Sequence, residues 1–374
     1  MMDFYRQTWI EVDLDAIAHN VKTALRLNAS KLLMAVVKAN GYGHGDLEVA
    51  QAALEAGASM IAVSSFDEAL HLREKGLVAP LFVMGVTALN AAPIAIEQGI
   101  SLTAHDEDWI EQLVAMQLTG VVQVHLKIDT GMHRIGLLGR RTVHRCLDLL
   151  TACGHTHVAG IYSHMATADS DHDYLALQVE KFQSCLAGIQ LQEETIIHLA
   201  NSATLLQFNH GFTQAVRLGI SMYGSNPTTV ADLGLQQTLA LYTRVVQCKQ
   251  IKKGDSVGYG STYEAQADEW IGTLPIGYAD GWVRANQGRQ VVVNGHECEI
   301  VGRVCMDQMM IRLPEEMPVG EKVTLIGKEM PVDRVASELG TISYEVFCLL
   351  SDRIPRIYRQ SEKEVGLRKM RFEQ

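Results

Sequence analysis

Hydrophobic and polar positions follow two different periods along the first part of the chain. Short, fully apolar runs are separated by longer stretches in which apolar residues recur at helical spacing. The first pattern is typical of strands in a buried parallel sheet, and the second is typical of amphipathic helices. Repeated alternation of the two predicts β/α units. We expect strands at residues 31–37, 59–64, 80–85, 101–104, 121–129, 157–164, 195–200 and 215–218.

The stretches between these strands carry signals for helix starts and stops. Several begin with aspartate, which caps the free N–H groups of a first helical turn, and some are followed by glycine. The clearest helices are predicted at Asp46–Ala56, Phe66–Lys75, Asp106–Met116, Arg140–Ala152 and Asp171–Ile189. Strands that alternate with helices in this way predict an α/β fold, a (β/α)8 barrel of the TIM type, which we assign to residues 1–236.

From about residue 240 the pattern changes to short β-rich runs separated by glycine turns. Asn294-Gly295 lies between two of these runs and is a signal for a type I′ hairpin. The clearest elements are strands at Arg244–Ile251, Trp270–Leu274, Gln290–Val293 and Cys298–Val304, and short helices at Val335–Leu339 and Ser343–Leu350. We therefore predict a mostly β C-terminal domain at residues 237–374.

The two ends of the chain add three expectations. The segment around Thr8–Glu11 is predicted to form an extra strand of the second domain, and the Lys- and Arg-rich C-terminal end a loose tail. The N-terminal segment has no apolar core of signal-peptide length, and no later apolar run is long enough to span a bilayer. We therefore predict a cytoplasmic protein.

Composition narrows the possible classes of function. A chain of 374 residues is too long for a single hydrophobic core of ordinary size. With 47% hydrophobic and 20% charged residues, it is predicted to be a folded globular protein. Thirty-two basic against 43 acidic residues give a net charge of -11, which argues against nucleic acid or an anionic membrane as the main partner. The seven cysteines form no Cys-x-x-Cys pair, so we expect neither a disulfide framework nor a metal site.

Lys38 ends an apolar strand and opens a glycine-rich segment, Ala39-Asn-Gly-Tyr-Gly-His-Gly45. The strand partly desolvates the amine, which disfavours its charged form and makes it nucleophilic toward a carbonyl such as the aldehyde of pyridoxal phosphate. By position alone, a lysine just past a buried strand is more often a solvated loop residue. The residues at the other strand ends change that balance.

Polar side chains, or backbone N–H groups suited to an anion, occupy the predicted ends of five strands. Active sites of such barrels lie at the carboxyl ends of the strands, and phosphate commonly binds in the loops after the seventh and eighth. The residues are Lys38 and Tyr42 after the first strand, Lys127, Asp129 and Arg134 at the fifth, His164 at the sixth, Asn201 and Ser202 at the seventh, and Arg217, Gly219 and Ile220 at the eighth. Ser202, Gly219 and Ile220 occupy the expected phosphate position.

Each of these residues alone also has a structural interpretation. His164 fits a core histidine, Arg217 a surface ion-pair partner, and Ser202 the N-cap of a helix at Ala203–Phe208. The convergence of five strand ends favours a chemical site over the separate explanations.

The lysine segment resembles the pyridoxal-phosphate attachment motif of alanine racemases, and the resemblance covers nearly the whole chain. Matching strings elsewhere are Leu126–Gly136, Tyr162–Asp169, His198–Ser202, Val216–Gly224, Val257–Ser261, Ile276–Gly281, Val301–Asp307 and Ile342–Val346. His133 departs from the pattern, because some members carry glycine at that position.

The resemblance implies an enzyme that interconverts L- and D-alanine with pyridoxal 5′-phosphate. Lys38 would hold the cofactor as a Schiff base, and Arg134 would contact its ring phenolate oxygen. Lys127 would be carbamylated and would orient Arg134. The other cofactor-binding residues implied are Tyr42, His164, Asn201, Ser202, Arg217, Gly219, Ile220 and Tyr344.

By the same resemblance, Arg217 would face the pyridine nitrogen. A guanidinium does not give up its proton at ordinary pH, so the ring nitrogen would stay largely unprotonated and side reactions would be limited. Inversion needs one base on each face of the α-carbon, and Lys38 and Tyr259 would be those bases. His164 would hydrogen-bond to both Tyr259 and Arg217.

The resemblance also implies a homodimer with composite active sites, which supplies D-alanine for cell-wall peptidoglycan. Tyr259, Met306 and Asp307 would come from the partner subunit, with Met306, Asp307 and Arg134 binding substrate. Tyr278 and Tyr344 resemble the residues that narrow the family's access channel, and Asp169, Arg284 and Arg303 those that line its outer part.

Three alternatives stay open at this point. A racemase of broader specificity, acting for example on serine, is the nearest, because one methylene changes binding by only about 1–3 kcal/mol. A basic amino-acid decarboxylase of similar architecture would carry a carboxylate in place of Arg217 and an adjacent Cys-Asp pair, whereas Met306 separates Cys305 from Asp307. A pyridoxal-phosphate carrier protein resembles the barrel alone.

Overall fold

A computed structural model describes residues 4–27, 32–207, 212–228 and 233–369. Its contacts divide the chain into two compact units. The first, here called the barrel unit, comprises the described parts of Ile17–Gly41 and Asp46–Leu235. The second, here called the sheet unit, comprises the described parts of Met1–Ala16, Tyr42–Gly45 and Gln236–Gln374.

The barrel unit contains eight parallel strands that close into a barrel. The strands are Leu32–Val36, Met60–Val63, Leu81–Val83, Ile100–Ala104, Val122–Lys127, Thr156–Tyr162, Ile196–His198 and Ala215–Leu218. Closure comes from parallel pairing of the first strand with the eighth, with Leu32 opposite Ala215. The predicted (β/α)8 barrel and its eight strands are confirmed, with ends displaced by a few residues; residue 31 lies outside the described part of the chain.

Helices follow most of these strands. Up to residue 207 the described ones are Leu14–Leu27, Lys38–Tyr42, Asp46–Glu55, Phe66–Glu74, Ala92–Gln98, Glu107–Ala115, Arg140–Ala152, His172–Leu186 and Ser202–Gln207. Aspartate caps two of them as predicted: the Asp106 carboxylate accepts the Trp109 N–H at 3.1 Å, and Asp171 accepts the Tyr174 N–H at 3.0 Å. The predicted end at Ile189 is wrong, because the chain leaves the helix at residue 187 and reaches positive φ at Gly188.

The sheet unit is built on ten strands in one sheet. From edge to edge they are Gln247–Ile251, Glu269–Leu274, Met309–Leu313, His296–Val301, Gln290–Val293, Lys322–Ile326, Leu239–Arg244, Thr8–Asp13, Arg356–Gln360 and Lys363–Arg368. Ser256–Val257 pairs separately with Tyr263–Glu264, and two helices, Val332–Leu339 and Ser343–Leu349, accompany the sheet. The predicted mostly β architecture is confirmed, and so is the extra N-terminal strand, because Thr8–Asp13 lies between two C-terminal strands.

The Asn294-Gly295 hairpin is also confirmed. Both residues have positive φ, 52° and 80°, as a type I′ turn requires, and Val293 pairs with His296 across it.

Two expectations for the sheet unit are wrong. The predicted single strand Arg244–Ile251 is broken at residues 245–246, where the Val245 N–H donates to Glu321 O and the Val246 N–H to Thr273 O. The chain changes strand partners at that point. The predicted loose tail instead forms the strand Lys363–Arg368, which returns after a turn to pair with Arg356–Gln360. Residues 370–374 lie outside the described part.

Within the described residues, no helix combines the length and apolar character that a bilayer span requires.

Gly281 provides a stability test of the sheet unit. It has a φ of +87°, and a Cβ placed there would lie 1.8 Å from Leu349 O. Gly340 also has positive φ, +70°, but nothing lies within 4 Å of its Cβ position. We expect Gly340→Ala to cost about 1 kcal/mol from backbone strain alone, and Gly281→Ala about 1–3 kcal/mol more from overpacking. Urea unfolding of both variants measures the difference; equal losses would contradict the close packing.

Candidate active site

Arg217, on the eighth barrel strand, is only 3% exposed. One guanidinium nitrogen donates to the carbonyl of His198 at 2.8 Å, and the other to the carbonyls of Ser163 at 2.8 Å and Leu199 at 3.1 Å. The same two nitrogens contact Nδ1 of His198 at 2.8 Å and Nδ1 of His164 at 3.3 Å. The alternative of a surface ion-pair partner is therefore wrong for Arg217.

These contacts fix which nitrogen of each histidine carries the proton. Because a guanidinium can only donate, Nδ1 of His164 and Nδ1 of His198 must accept, which places the ring protons on Nε2. Nε2 of His198 then donates to Nδ1 of His125 at 2.9 Å. Burial, with Arg217 as the next cause, lowers the pKa of His164 and His198 well below the usual value and lowers the pKa of His125 to about 3. All three histidines are neutral near pH 7.

The inner end of this chain of hydrogen bonds is tightly packed. His125 stacks on Phe82, with ring centroids 4.1 Å apart. A Cβ placed on Gly160 of the neighbouring strand would lie 2.3 Å from Nδ1 of His125, so only glycine leaves room for the ring. Among the described residues, Nε2 of His125 has no hydrogen-bond partner.

Lys127 ends the fifth barrel strand and is 5% exposed. Burial lowers its pKa to about 7, with the positive charges of Arg217 and Arg134 as further causes. Its amine lies 4.4 Å from the ring centroid of Tyr162. The Tyr162 ring also stacks on His198, and its hydroxyl donates to Met84 O at 3.0 Å. The Lys127 amine is therefore largely in its neutral, nucleophilic form only above about pH 7.

Arg134 lies in a loop that the Asp129 carboxylate holds in place. One oxygen of Asp129 accepts the N–H groups of Gly131 at 2.9 Å and His133 at 3.1 Å, and the His133 ring lies 3.6 Å from the other. His133 has a φ of +54°, a conformation that glycine adopts without strain. Histidine therefore stands at a strained backbone position where some members of the family carry glycine. The neighbouring Arg134 is exposed.

Ser202 and the turn after the eighth strand, where the sequence predicts a phosphate position, are in contact. The buried Ser202 hydroxyl accepts the Gly219 N–H at 3.0 Å and the Ser221 N–H at 3.4 Å. Ile220, between them, is 1% exposed. A hydroxyl and converging backbone N–H groups of this kind suit an anion.

Asn201, rather than Ser202, caps the helix that follows. Its side-chain oxygen accepts the N–H and the hydroxyl of Thr204, each at 3.0 Å. The N-cap alternative for Ser202 is therefore wrong, and the predicted helix begins one residue earlier, at Ser202. Phe208, its predicted last residue, lies outside the described part.

The segment after the first barrel strand is a short left-handed helical turn. It spans Lys38–Tyr42, with φ near +55° at Ala39, Asn40 and Gly41. The Gly41 N–H donates to Val37 O at 2.8 Å, and the Asn40 side chain accepts the Asp46 N–H at 3.2 Å. Non-glycine residues in this region cost about 1–2 kcal/mol each, so the turn persists only where its surroundings hold it.

In the sheet unit, Tyr42 and Tyr344 lie together, with ring centroids 6.1 Å apart. Tyr42 is 6% exposed. The buried Arg356 guanidinium donates to Gly43 O at 2.8 Å and also to Leu350 O at 3.0 Å, which fixes the backbone just after Tyr42. These two tyrosines, both predicted to bind the cofactor, are therefore neighbours.

Other predicted residues of the sheet unit are exposed. Tyr259 is 72% exposed, on a turn flanked by Gly258 and Gly260, both with positive φ. A Cβ on Gly260 would lie 3.1 Å from Nη1 of Arg303, so the arginine packs against this turn. Met306 is 53% exposed.

Tyr278 is joined to the segment that carries Met306. The Tyr278 N–H donates to Cys305 O and the Ala279 N–H to Met306 O, both at 3.0 Å. Asp307 is bound by Nη2 of Arg353 at 2.8 Å. Arg284 lies exposed in the same unit and Asp169 lies exposed in the barrel unit.

Three buried residues next to Arg217 were missed by the sequence analysis: His125, Tyr162 and His198. Tyr162 and His198 belong to the motif strings, but only the residues after them were assigned a role. The available signal was position, because all three lie on barrel strands among apolar neighbours, where polar side chains need partners.

Family models match both parts of the chain. Residues 12–227 match "Alanine racemase, N-terminal domain" and residues 238–358 match "Alanine racemase, C-terminal domain". The chain is 45% identical over 378 residues to an alanine racemase of Anoxybacillus flavithermus, with 98% of each chain covered.

Solved structures agree. A crystal structure of alanine racemase from Bacillus anthracis with bound L-Ala-P superposes with a TM-score of 0.92 at 40% identity, covering 98% of both chains. A histidine racemase from Leuconostoc mesenteroides subsp. sake gives a TM-score of 0.89 at 32% identity, covering 95% of this chain and 99% of its own. With both family models matched and near-complete coverage, the chain belongs to the alanine racemase family.

Proposed function

We propose that this protein interconverts L- and D-alanine, with pyridoxal 5′-phosphate attached to Lys38. The observation that carries the proposal is the buried Arg217, which lies among neutral histidines and beside a lysine of lowered pKa at the carboxyl ends of the barrel strands. Ordinary packing does not require a buried guanidinium at this place, whereas a cofactor with a ring nitrogen and a phosphate does use such donors.

The described residues suit the cofactor at both of its ends. Ser202, Gly219 and Ile220 would hold the phosphate, since a hydroxyl and backbone N–H groups already converge there. Arg217 would face the ring nitrogen and Arg134 the phenolate oxygen, with Tyr42, Asn201 and Tyr344 as further cofactor-binding residues. When bound, the cofactor supplies an electron sink that acidifies the α-proton of the amino acid.

Arg217 would limit that electron sink to what racemisation needs. Burial lowers the pKa of Arg217 only to about 10, so the guanidinium stays protonated near neutral pH. It can donate a hydrogen bond to the ring nitrogen but is a poor source of a proton for it. A weaker sink favours return of the α-proton over side reactions.

Two bases would exchange the α-proton. The Lys38 amine would act on one face, and the partner subunit's Tyr259 on the other, which makes the active form a homodimer. His164 has its Nε2 proton available because Nδ1 accepts from Arg217. That proton would hydrogen-bond the Tyr259 oxygen whenever the phenol has lost its own proton. Arg134, Met306 and Asp307 would position the substrate.

Lys127 would carry a carbamate that holds Arg134 in position. The neutral amine attacks carbon dioxide, an N–C bond forms, and one proton leaves to solvent. The product is an anion beside Arg217 and Arg134, the two cations that lower the pKa of the free amine.

We place the protein in the cytoplasm, as a source of D-alanine for peptidoglycan.

A racemase of broader specificity is the second candidate. The structural likeness to a histidine racemase shows that this architecture also accommodates a larger substrate in another protein. The two candidates differ in their relative rates on alanine and on larger amino acids.

Lys38→Ala tests the attachment residue. We expect the purified variant to lose both the visible absorbance of lysine-bound cofactor and alanine racemisation, because no amine remains at the turn. Lys22→Ala removes an exposed lysine of the same unit and should keep both. Attachment in Lys38→Ala, detected by absorbance and by borohydride trapping with mass spectrometry, would overturn the assignment.

Tyr259→Phe tests the second base. We expect cofactor attachment to survive, and α-proton abstraction from L-alanine to fall by about a hundredfold or more. Hydrogen exchange at the α-carbon of each enantiomer measures this separately. The exposed Tyr5 supplies the control, Tyr5→Phe, which should behave as wild type. An unchanged exchange rate from L-alanine in Tyr259→Phe removes the residue from this role.

The carbamate on Lys127 should depend on pH. Because the lowered pKa of Lys127 is about 7, its amine is largely protonated below that pH and largely neutral above it. With ¹³C-labelled bicarbonate, the carbamate signal should rise as the pH is raised from about 6 to about 8. Lys127→Ala should abolish the signal and Lys22→Ala should keep it. A signal that persists without Lys127, or is absent at the higher pH, contradicts the assignment.

A further inference from the structure

Glu68 joins the segments that follow the first and second barrel strands. It lies in the first turn of the helix Phe66–Glu74, which follows the second strand. One carboxylate oxygen accepts the Ala39 N–H at 2.6 Å. The other accepts the N–H groups of Ser64 at 2.7 Å and Ser65 at 3.0 Å.

Part of this arrangement is an ordinary helix start. Ser65 is the N-cap, its hydroxyl accepts the Glu68 N–H at 3.3 Å, and together with the bond from the Ser65 N–H it forms a capping box. The bond from Ala39 is not part of that motif. It comes from a different segment of the chain and uses the carboxylate oxygen that the cap leaves available.

Ala39 is the residue directly after Lys38, at the start of the left-handed turn. Its φ of 52° and that of Asn40, 54°, are unfavourable for side chains with a Cβ. A first-turn N–H also lacks a partner within its own helix. The Glu68 carboxylate supplies that partner as a charge-assisted hydrogen bond, which is stronger than a bond between neutral groups.

We propose that Glu68 is a positioning residue, whose carboxylate holds the Ala39 N–H and thereby fixes the direction in which the Lys38 side chain leaves the turn. Glu68 touches neither substrate nor cofactor in this role and acts through the backbone of Ala39. The proposal rests on the proposed function of Lys38. In this proposal, a residue from the helix of the next β/α unit stabilises the left-handed turn.

Four variants separate this role from helix capping. Glu68→Ala removes all three acceptor contacts. Glu68→Gln keeps one carbonyl oxygen, which can serve either Ala39 or the Ser64–Ser65 pair. Ser65→Ala removes the cap hydroxyl and leaves the bond to Ala39. Glu74→Ala removes an exposed carboxylate of the same helix and serves as the matched control.

Three properties of the full-length variants would be measured. They are hydrogen exchange of the backbone amide of Ala39, the rate at which added pyridoxal phosphate becomes attached to Lys38, and kcat and KM for L-alanine. In Glu68→Ala we expect exchange at Ala39 to accelerate at least about tenfold, because its hydrogen bond is lost. We expect attachment and kcat to fall by about tenfold or more with KM little changed, since the amine is misplaced rather than removed.

Glu68→Gln should fall between wild type and Glu68→Ala in all three properties. If Glu68→Ala does not fold, the comparison of Glu68→Gln with wild type provides the test. Ser65→Ala and Glu74→Ala should leave exchange at Ala39 and attachment near wild type. If Glu68→Ala matches Glu74→Ala, or if Ser65→Ala loses as much as Glu68→Ala, the proposal is overturned. If the wild-type protein does not racemise alanine, the proposed function fails, and exchange at Ala39 still decides whether Glu68 holds the turn.

Discussion

A permanently charged guanidinium inside the barrel constrains the groups around it. Moving such a charge out of water costs several kcal/mol unless hydrogen bonds replace its hydration. Arg217 donates such bonds to the carbonyls of Ser163, His198 and Leu199 and to two imidazole nitrogens. The carboxyl ends of the sixth, seventh and eighth strands are thereby tied to one side chain.

The same charge dictates the protonation of its neighbours. Burial is the larger cause of each lowered pKa, and Arg217 is the next one for His164, His198, His125 and Lys127. A protonated histidine beside the guanidinium would repel it and would have no acceptor to face at Nδ1. Neutral imidazoles of one tautomer are therefore part of the packing. In the proposed mechanism this leaves the proton of His164 Nε2 available for hydrogen bonding.

Hydrophobic patterning was sufficient to predict the barrel, because strands buried on both faces and amphipathic helices differ clearly in period. Polar residues at strand ends also indicated which side chains would lie together, since those ends meet on one face of a barrel. Arg217 and His164, which are in contact, are an example. The break within Arg244–Ile251 was not predictable in this way, because both halves are β-rich and only their partners differ.

Features that depend on distant hydrogen bonds also lay beyond the sequence analysis. The left-handed turn at Ala39 and Asn40 contradicts local propensity, and its anchor, Glu68, comes from the next β/α unit. The chain from Arg217 through His198 to His125 joins three strands of the barrel. The strand Lys363–Arg368 looked like a charged tail because an edge strand has few buried positions.

The most direct test of the account is to incubate the purified protein and pyridoxal phosphate with L-alanine in D2O, and to follow the enantiomer ratio and α-deuteration together. L-serine, L-histidine and L-lysine would be treated in parallel. The account predicts an equal mixture of alanine enantiomers with deuterium at the α-carbon, and little change in the other amino acids. Attached cofactor without any α-exchange from alanine would contradict it.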